Sequence, residues 1–186
     1  KIVEGSAGKS LARTNKEKYE LLKSGVKVSF TNDKGELIKK TLKVFDFVDP
    51  EKNDFLAVRQ LEVTGELYNR RPDVVGFVNG IPLVFFELKA HHRDLRHAYS
   101  DNLKDYKDTI PHLFNTNAFV VLSNGIDRQD DSGTKIGTIT SPYKFFHEWK
   151  RVSENIEGVV SLETTLRGTC SKSSLIDLFE NFLLFE

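Results

Sequence analysis

Apolar and polar residues alternate with a period of two through much of the first half of the chain, a pattern that predicts β-strands. Turn-forming residues separate the runs, so neighbouring strands are expected to pair antiparallel. The predicted strands are Val26–Phe30, Leu42–Val48, Phe55–Val63, Val74–Val78 and Ile81–Phe86. We therefore predict an antiparallel meander of about five strands between Val26 and Lys89.

The rest of the chain shows helical spacing instead, apart from one wholly apolar run that is typical of a buried strand. The order strand, strand, helix, strand predicts an α/β fold in which helices cover a mixed sheet. Before the strands, a weak helix is predicted to end at Gly25. After them we predict a helix over Asp94–Ile110, a strand over Ala118–Leu122 and a polar loop over Asn124–Gly137. A helix that carries Phe145, Phe146 and Trp149 is predicted to begin at Ser141-Pro142, and C-terminal helices are predicted over Leu162–Leu166 and Ser173–Phe185.

The central hairpin is the most informative stretch, because Asn79-Gly80 between two apolar runs is a strong turn signal. Its charged residues occur only at the open end, where Asp73 begins the first strand and Glu87 and Lys89 end the second. Side chains alternate faces along a strand, so Glu87 and Lys89 share a face. The hairpin thus brings two carboxylates and an ammonium to one end of an apolar strand pair.

The register of this hairpin decides whether the two acids meet. An unbroken ladder closed by a two-residue turn would pair Asp73 with Phe86 and place Asp73 on the face opposite Glu87. We therefore predict a shift of one residue. It arises either from a three-residue loop with a G1 bulge, which pairs Phe77 with Ile81, or from an equivalent shift near Gly76 or Pro82.

Two acids on one edge supply the hard oxygen ligands that Mg²⁺ prefers, and the backbone carbonyl of Leu88 is a third candidate ligand. The Lys89 ammonium beside them is placed to orient a water molecule and to stabilise negative charge on a phosphate. This combination is suited to hydrolysing a phosphodiester. Strand ends also often carry solvated acids and lysines, so the spacing alone leaves both interpretations open.

Composition limits the possible classes of protein. A chain of 186 residues, 39% hydrophobic and 11% aromatic, is long enough for one domain with a substantial core. The formal net charge of zero argues against a free-standing nucleic-acid binder. The single cysteine, Cys170, excludes an internal disulfide, lacks a nearby base and is expected to serve packing. No long apolar run occurs, so we expect no membrane contact and a cytoplasmic location.

The order of these motifs resembles the PD-(D/E)XK nucleases, and in particular the N-terminal nuclease domain of the restriction (R) subunit of type I restriction–modification enzymes. The resemblance extends roughly from Leu22 to Lys150. It is carried by Asn53-Asp54-Phe55, Gln60, Arg70-Arg71-Pro72-Asp73, Asn79-Gly80-Ile81-Pro82-Leu83, Glu87-Leu88-Lys89, Ala98-Tyr99, Tyr106-Lys107, Ile110-Pro111-His112-Leu113-Phe114 and Phe145 with Trp149-Lys150.

This resemblance implies that Asp73 and Glu87 are metal ligands and that Lys89 is the catalytic lysine. The family also places a Gln-x-x-x-Tyr motif on the helix after the core, and Asn102 and Tyr106 occupy the matching positions. Asn102 carries the same donor and acceptor groups as glutamine on a shorter side chain. The resemblance implies that Tyr106 contacts phosphate or positions the lysine, with a weaker role for Asn102. The acidic residue that many such sites carry upstream has no assigned position.

Basic residues surround these positions. Arg70, Arg71 and Arg93 are candidate contacts for a DNA backbone. Arg96, His91, His92 and His97 either extend this basic rim or form a solvated helix start, and the spacing of the histidines suits no zinc site.

The function implied by the resemblance is a Mg²⁺-dependent endonuclease acting on double-stranded DNA. Residues 1–152 are expected to form the nuclease domain, incomplete at its N-terminus, and residues 153–186 a helical segment leading towards an ATP-driven motor domain that this chain lacks. The implied partners are the methyltransferase and specificity subunits. Two alternatives stay open: another nuclease of the same fold, in repair or anti-phage defence, and a non-catalytic DNA-binding or assembly module.

Overall fold

The computed structural model describes residues 8–126, 133–153, 156–157, 160–183 and 185. Across these residues the fold is a five-stranded mixed sheet with helices packed on both faces, accompanied by three two-stranded ribbons. This confirms the predicted mixed α/β architecture. None of the helices in these ranges is long and apolar enough to span a membrane.

The helices are α1 (Leu11–Ser24), α2 (Leu95–His97), α3 (Lys104–Thr109), α4 (Leu162–Thr169) and α5 (Lys172–Asp177), with π-helical turns at Ala98–Leu103 and Leu178–Phe182 and 3-10 turns at Pro50–Lys52, Pro111–Phe114 and Tyr143–Phe145. The strands are β1 (Val26–Thr31), β2 (Leu37–Leu42), β3 (Phe55–Arg59), β4 (Val63–Thr64), β5 (Asn69–Arg70), β6 (Val74–Val78), β7 (Ile81–Leu88), β8 (Phe119–Ser123), β9 (Thr134–Gly137), β10 (Arg151–Ser153) and β11 (Ile156–Glu157).

The main sheet has the strand order β3-β6-β7-β8-β9. Strands β7 and β8 are parallel, and the other neighbouring pairs are antiparallel. A parallel pair requires a crossover connection, and the helical run from α2 through the π-helical turn to α3 supplies it. The predicted helix over Asp94–Ile110 and the predicted strand over Ala118–Leu122 are thereby confirmed.

The predicted antiparallel meander of about five strands is wrong for its first two strands, which do not belong to the main sheet. Strand β1 pairs with β2, and the two form a ribbon of their own outside the main sheet. The second strand of this ribbon is Leu37–Leu42, so the predicted strand over Leu42–Val48 is displaced. The cause is a tight turn in which the Asn32 side-chain oxygen accepts hydrogen bonds from the backbone N–H groups of Lys34 and Glu36. This turn reverses the chain early and leaves Phe45 free to enter the core.

Two predictions for the second half also need correction. The predicted loop over Asn124–Gly137 is too long, because its last residues, Thr134–Gly137, pair with β8 and form strand β9. Residues 127–132 of the predicted loop lie outside the described ranges. The predicted helix after Ser141-Pro142 is only a single 3-10 turn. Immediately after that turn His147 forms a bridge with Ile136, which holds this part of the chain extended.

Two hydrophobic cores lie on opposite faces of the main sheet. Along β7, Val84 and Phe86 belong to the first core, whereas Phe85 between them belongs to the second. Helices α1, α4 and α5 pack against the first core, and α5 contributes Leu175 and Ile176. The run from α2 to α3 covers the second core. The face that carries the second core is also the face on which Glu87 lies, because Phe85 and Glu87 are two residues apart on one strand.

Candidate active site

The hairpin turn is a two-residue turn, so the three-residue loop with a G1 bulge is wrong. Asn79 and Gly80 both have positive φ angles, 48° and 77°, and Val78 pairs directly with Ile81. Asn79 tolerates this conformation because its side chain anchors the turn: its Nδ2 donates to the Val44 carbonyl at 2.7 Å, and its Oδ1 accepts from the Asp54 N–H at 2.7 Å.

The alternative position of the register shift, near Gly76, is confirmed. Phe77 pairs with Pro82, whereas Gly76 pairs with Val84, so Leu83 is an extra residue in β7. Proline has no N–H for the ladder and is commonly found beside such bulges. A Cβ atom at position 76 would lie 3.3 Å from the Val84 Cβ, so glycine permits the close approach of the two strands.

The shift restores the register that brings the acids together. Val74 pairs with Phe86, and continuing the ladder by one residue places Asp73 opposite Glu87 on the same face. The Leu88 backbone N–H donates to Asp73 Oδ2 at 2.8 Å, which fixes the carboxylate against β7. Asp73 and Glu87 therefore lie on the same face of the hairpin, which is the geometric condition for sharing a metal ion.

Gln60 holds the other side of Asp73 and is a residue that motif reasoning did not assign to the site. Its Nε2 donates to Asp73 Oδ1 at 3.0 Å, and its backbone N–H donates to the Asp73 carbonyl at 3.0 Å. Gln60 adopts a positive φ angle of 51°, which is uncommon for a residue other than glycine. The resemblance included Gln60 by position, but only the structure shows that it orients Asp73.

Glu87 is a buried carboxylate, with 2% of its side chain exposed. Its Oε1 accepts from Lys89 Nζ at 2.9 Å, whereas its Oε2 has no hydrogen-bond partner among the described residues. Burial raises the pKa of Glu87 to about 7; the hydrogen bond and charge of Lys89 oppose this rise, and the nearby Asp73 charge adds to it. A carboxylate with an unpartnered buried oxygen favours the approach of a cation.

The Leu88 carbonyl points towards the same place. The Lys89 N–H donates to the Ser123 carbonyl on β8 at 2.7 Å. The C=O and N–H of a trans peptide point in opposite directions, so the Leu88 oxygen points away from β8 and towards the edge where Asp73 lies. Two carboxylates and one carbonyl thus converge at this end of the hairpin.

Lys89 is held by Asn102 as well as by Glu87. Its Nζ donates to Asn102 Oδ1 at 2.7 Å, so the shorter side chain still reaches the lysine. Asn102 lies in the π-helical turn, a feature that is frequent at functional sites. Burial raises the pKa of Tyr106, the Glu87 charge adds to the rise, and a hydrogen bond with Asn102 opposes it. Asn102 therefore links Lys89 to Tyr106. Of these two helical residues, Asn102 is the one that accepts a hydrogen bond from the lysine.

The predicted arginines occupy different environments. Arg70 donates from Nε and Nη2 to the two oxygens of Asp105, at 2.6 and 2.9 Å, and this ion pair joins β5 to α3. Its Nη1 donates to the Asn69 carbonyl, so all three nitrogens are engaged within the protein. Arg71 and Arg93 are exposed. Both remain candidates for contact with a DNA backbone, whereas Arg70 would first have to leave Asp105.

The site fits a Mg²⁺ ion that keeps several of its waters. Among the described residues no group of three or more His, Cys, Asp or Glu side chains is placed to hold a metal, and the candidate ligands at this site are two carboxylates and the carbonyl. Mg²⁺ is commonly bound by one or two carboxylates together with water and substrate phosphate. The unpartnered Glu87 oxygen opposite Asp73 has the chemistry that such an ion requires.

Comparisons with known proteins show which family the chain belongs to. Residues 2–129 match the family described as the N terminus of the type I restriction enzyme R protein. The type I restriction enzyme HindI endonuclease subunit of Haemophilus influenzae is 35% identical over 181 residues, which cover 92% of this chain and 16% of that protein. The MjaIXP endonuclease subunit of Methanocaldococcus jannaschii is 32% identical over 192 residues, covering 90% of this chain and 18% of that protein.

The chain thus spans less than a fifth of the length of these curated relatives. The family match includes the whole hairpin, the π-helical turn with Asn102, and Gln60, so every residue of the acid and lysine cluster lies inside it. This chain therefore belongs to the family of type I restriction enzyme R protein N termini.

Proposed function

We propose that this chain is a PD-(D/E)XK nuclease domain that hydrolyses phosphodiester bonds of double-stranded DNA with Mg²⁺. The observation that carries the proposal is the register shift at Gly76, which brings Asp73 opposite Glu87, the carboxylate that accepts a hydrogen bond from Lys89. A structural role alone gives no reason to bury a carboxylate with an unpartnered oxygen at this position. The relatives are named as endonuclease subunits, and this supports the same assignment.

Asp73, Glu87 through Oε2, and the Leu88 carbonyl are the residues that would hold the ion. When bound, Mg²⁺ supplies Lewis-acid polarisation of the scissile phosphate and lowers the pKa of a water molecule. The main sheet positions the acids rigidly, since each lies in or beside a paired strand. Gln60 and the Leu88 N–H fix the orientation of the Asp73 carboxylate.

Lys89 performs the electrostatic part of the reaction. Its ammonium, within hydrogen-bond distance of Glu87 and Asn102, faces the same site as the acids. There it stabilises the negative charge that develops on the phosphate as water adds to phosphorus and the bond to the leaving oxygen breaks. Asn102 Oδ1 accepts a hydrogen bond from the ammonium and holds the side chain in place, so no reorganisation is needed when the charge develops.

The proposal also extends to the larger assembly. In a type I system this domain would belong to an R subunit whose ATP-driven motor lies elsewhere in the longer protein, and it would act with methyltransferase and specificity subunits. This arrangement accounts for the net charge of zero, because the other parts of the complex would hold and select the DNA.

One observation favours the second candidate, a non-catalytic DNA-binding or assembly module. The described residues supply only two carboxylates at the site, and no third acid converges on them. A module that has lost metal binding would retain the fold and the ion pair between Glu87 and Lys89. Metal binding therefore separates the two candidates.

Asp73→Ala is expected to weaken Mg²⁺ binding more than tenfold, because it removes one of two charged ligands. Isothermal titration calorimetry with MgCl₂ on the unaltered chain and on the variant measures this change. The matched control is Asp54→Ala, which removes an exposed aspartate near the opposite end of the hairpin and should leave the affinity unchanged. Absence of Mg²⁺ binding in the unaltered chain would favour the module.

Gln60→Ala is expected to reduce Mg²⁺ affinity about tenfold, the usual effect of removing a group that orients a metal ligand. Gln60→Gly removes the same side chain but relieves the positive φ angle, so it should lose the same affinity while unfolding at a higher temperature than Gln60→Ala. Calorimetry and thermal unfolding separate the two effects. Equal affinity in all three proteins would show that Gln60 serves only the turn.

A further inference from the structure

A lysine on strand β9 lies on the same face of the sheet as Glu87. Glu87 pairs with Leu122 on β8, and Leu122 pairs with Lys135 on β9. Residues paired across neighbouring strands share a face, and each strand spacing is about 4.8 Å, so the Cα atoms of Glu87 and Lys135 are about 10 Å apart. Lys135 therefore flanks the acid cluster from the side of β8 and β9.

Lys135 shares an aromatic platform with an arginine from the helical run. The Lys135 Nζ lies 5.6 Å from the centroid of the Tyr143 ring, and the Arg96 Cζ lies 5.4 Å from the same centroid. The Lys135 and Arg96 charges can therefore be no farther apart than the sum of these two distances. That sum is close to the electrostatic screening length of about 10 Å in 0.1 M salt. Neighbouring rings of Tyr99 and Phe146 hold Tyr143 in place.

This pair of positive charges has no acidic partner among the described residues. In the part of the chain that the structure describes, no carboxylate lies within ion-pair distance of Arg96 or Lys135. Cations held on one ring repel each other, and a bound anion would relieve that repulsion. Two other basic residues near the site do have acidic partners: Arg70 is paired with Asp105 and Lys89 with Glu87.

We propose that Arg96 and Lys135, held on the Tyr143 ring, bind the phosphate backbone of the DNA strand beside the scissile phosphate. The choice of DNA as the anion rests on the proposed function. Tyr143 adds cation–π attraction that keeps both side chains in place before the anion arrives. Because the chain has no net charge, such a local pair determines where a polyanion can approach.

The test measures binding of the purified chain to a fluorescein-labelled DNA duplex by fluorescence anisotropy in EDTA, which prevents cleavage, over a series of KCl concentrations. Lys135→Ala and Arg96→Ala should each weaken binding severalfold. The double variant should flatten the slope of log affinity against log salt concentration by about 1.8, the value for two lost phosphate contacts. Lys135→Arg keeps the charge and should bind like the unaltered chain.

Lys40→Ala is the matched control, because Lys40 is an exposed lysine of the β1–β2 ribbon. It should leave both affinity and slope unchanged. An unchanged slope in the double variant overturns the inference, as does a failure of the unaltered chain to bind duplex DNA at low salt. Cleavage that persists in Lys89→Ala would contradict the proposed function but not the phosphate site, so the two failures are distinguishable.

Discussion

On the proposed function, replacement of Lys89 by alanine is expected to abolish DNA cleavage by the proposed restriction complex, with a loss of about a thousandfold in rate or more, and to leave ATP-driven movement of that complex along DNA intact. The ammonium group lies 2.9 Å from Glu87 Oε1, and among the described residues only Asn102 and Glu87 accept hydrogen bonds from it. Its removal takes away the positive charge that, in the proposed function, stabilises the phosphate during the reaction. A plasmid cleavage assay and an ATPase assay on the same preparation measure the two activities.

The matched control for this variant is Lys104→Ala, because Lys104 is an exposed lysine on α3, the helix that follows the π-helical turn. It should cleave DNA at the normal rate. Mg²⁺ affinity should persist in Lys89→Ala, since the Asp73 and Glu87 carboxylates remain. Normal cleavage by Lys89→Ala would contradict the catalytic role, whereas lost cleavage together with lost Mg²⁺ binding would show that the lysine only maintains the site.

Glu87→Gln is expected to stabilise the folded chain at pH 8 in the absence of divalent metal, although it removes a metal ligand. Burial raises the pKa of Glu87 from 4.5 to about 7, so its ionised form is disfavoured in the folded state. The shift corresponds to about 3 kcal/mol. This shift already includes the opposing effect of Lys89, so glutamine, which avoids the buried charge, is expected to raise the free energy of unfolding by about 3 kcal/mol at pH 8.

The same pKa shift determines the pH dependence. The folded state holds the Glu87 proton more tightly than the unfolded state, so this group contributes most stability below about pH 4.5. That contribution is lost as the pH rises to about 7. Urea unfolding of the unaltered chain and the variant at intervals between pH 5 and pH 8 should therefore show a difference that grows with pH.

Added MgCl₂ should raise the stability of the unaltered chain at pH 8 and leave that of Glu87→Gln almost unchanged, because ligand binding to the folded state is linked to its stability. Glu66→Gln, which removes an exposed glutamate, is the control and should show neither effect. A Glu87→Gln variant that is less stable than the unaltered chain at every pH would mean that the ionised carboxylate supports the fold through Lys89.

Stability and proposed function therefore oppose each other at Glu87. The side chain is placed where its charge is unfavourable without a cation, and its Oε2 has no other partner among the described residues. Strain of this kind is common at functional sites. Gln60, with its positive φ angle beside Asp73, is a second example within the same cluster.

Local sequence patterns were sufficient to predict most of the elements that carry the candidate site and the end of the hairpin at which Asp73, Glu87 and Lys89 lie. The Asn79-Gly80 turn, the helical spacing of Asp94–Ile110 and the apolar run at β8 each depend on neighbours a few residues away, so a linear pattern contains the information. Asp73, Glu87 and Lys89 were identified as one group for the same reason, because all three lie at the open end of one hairpin. The sequence also established that a one-residue shift was needed for the two acids to meet.

Only the tertiary structure decided where that shift occurs, because a bulge at Gly76 and a longer loop at Asn79-Gly80 leave the same alternation in the sequence. The partners of the site residues were likewise set by contacts between distant segments. Gln60, which directly follows strand β3, reaches Asp73, and Asn102 reaches Lys89 from the π-helical turn of the crossover. Lys135 joins the same face through two successive strand pairings, which no local pattern specifies.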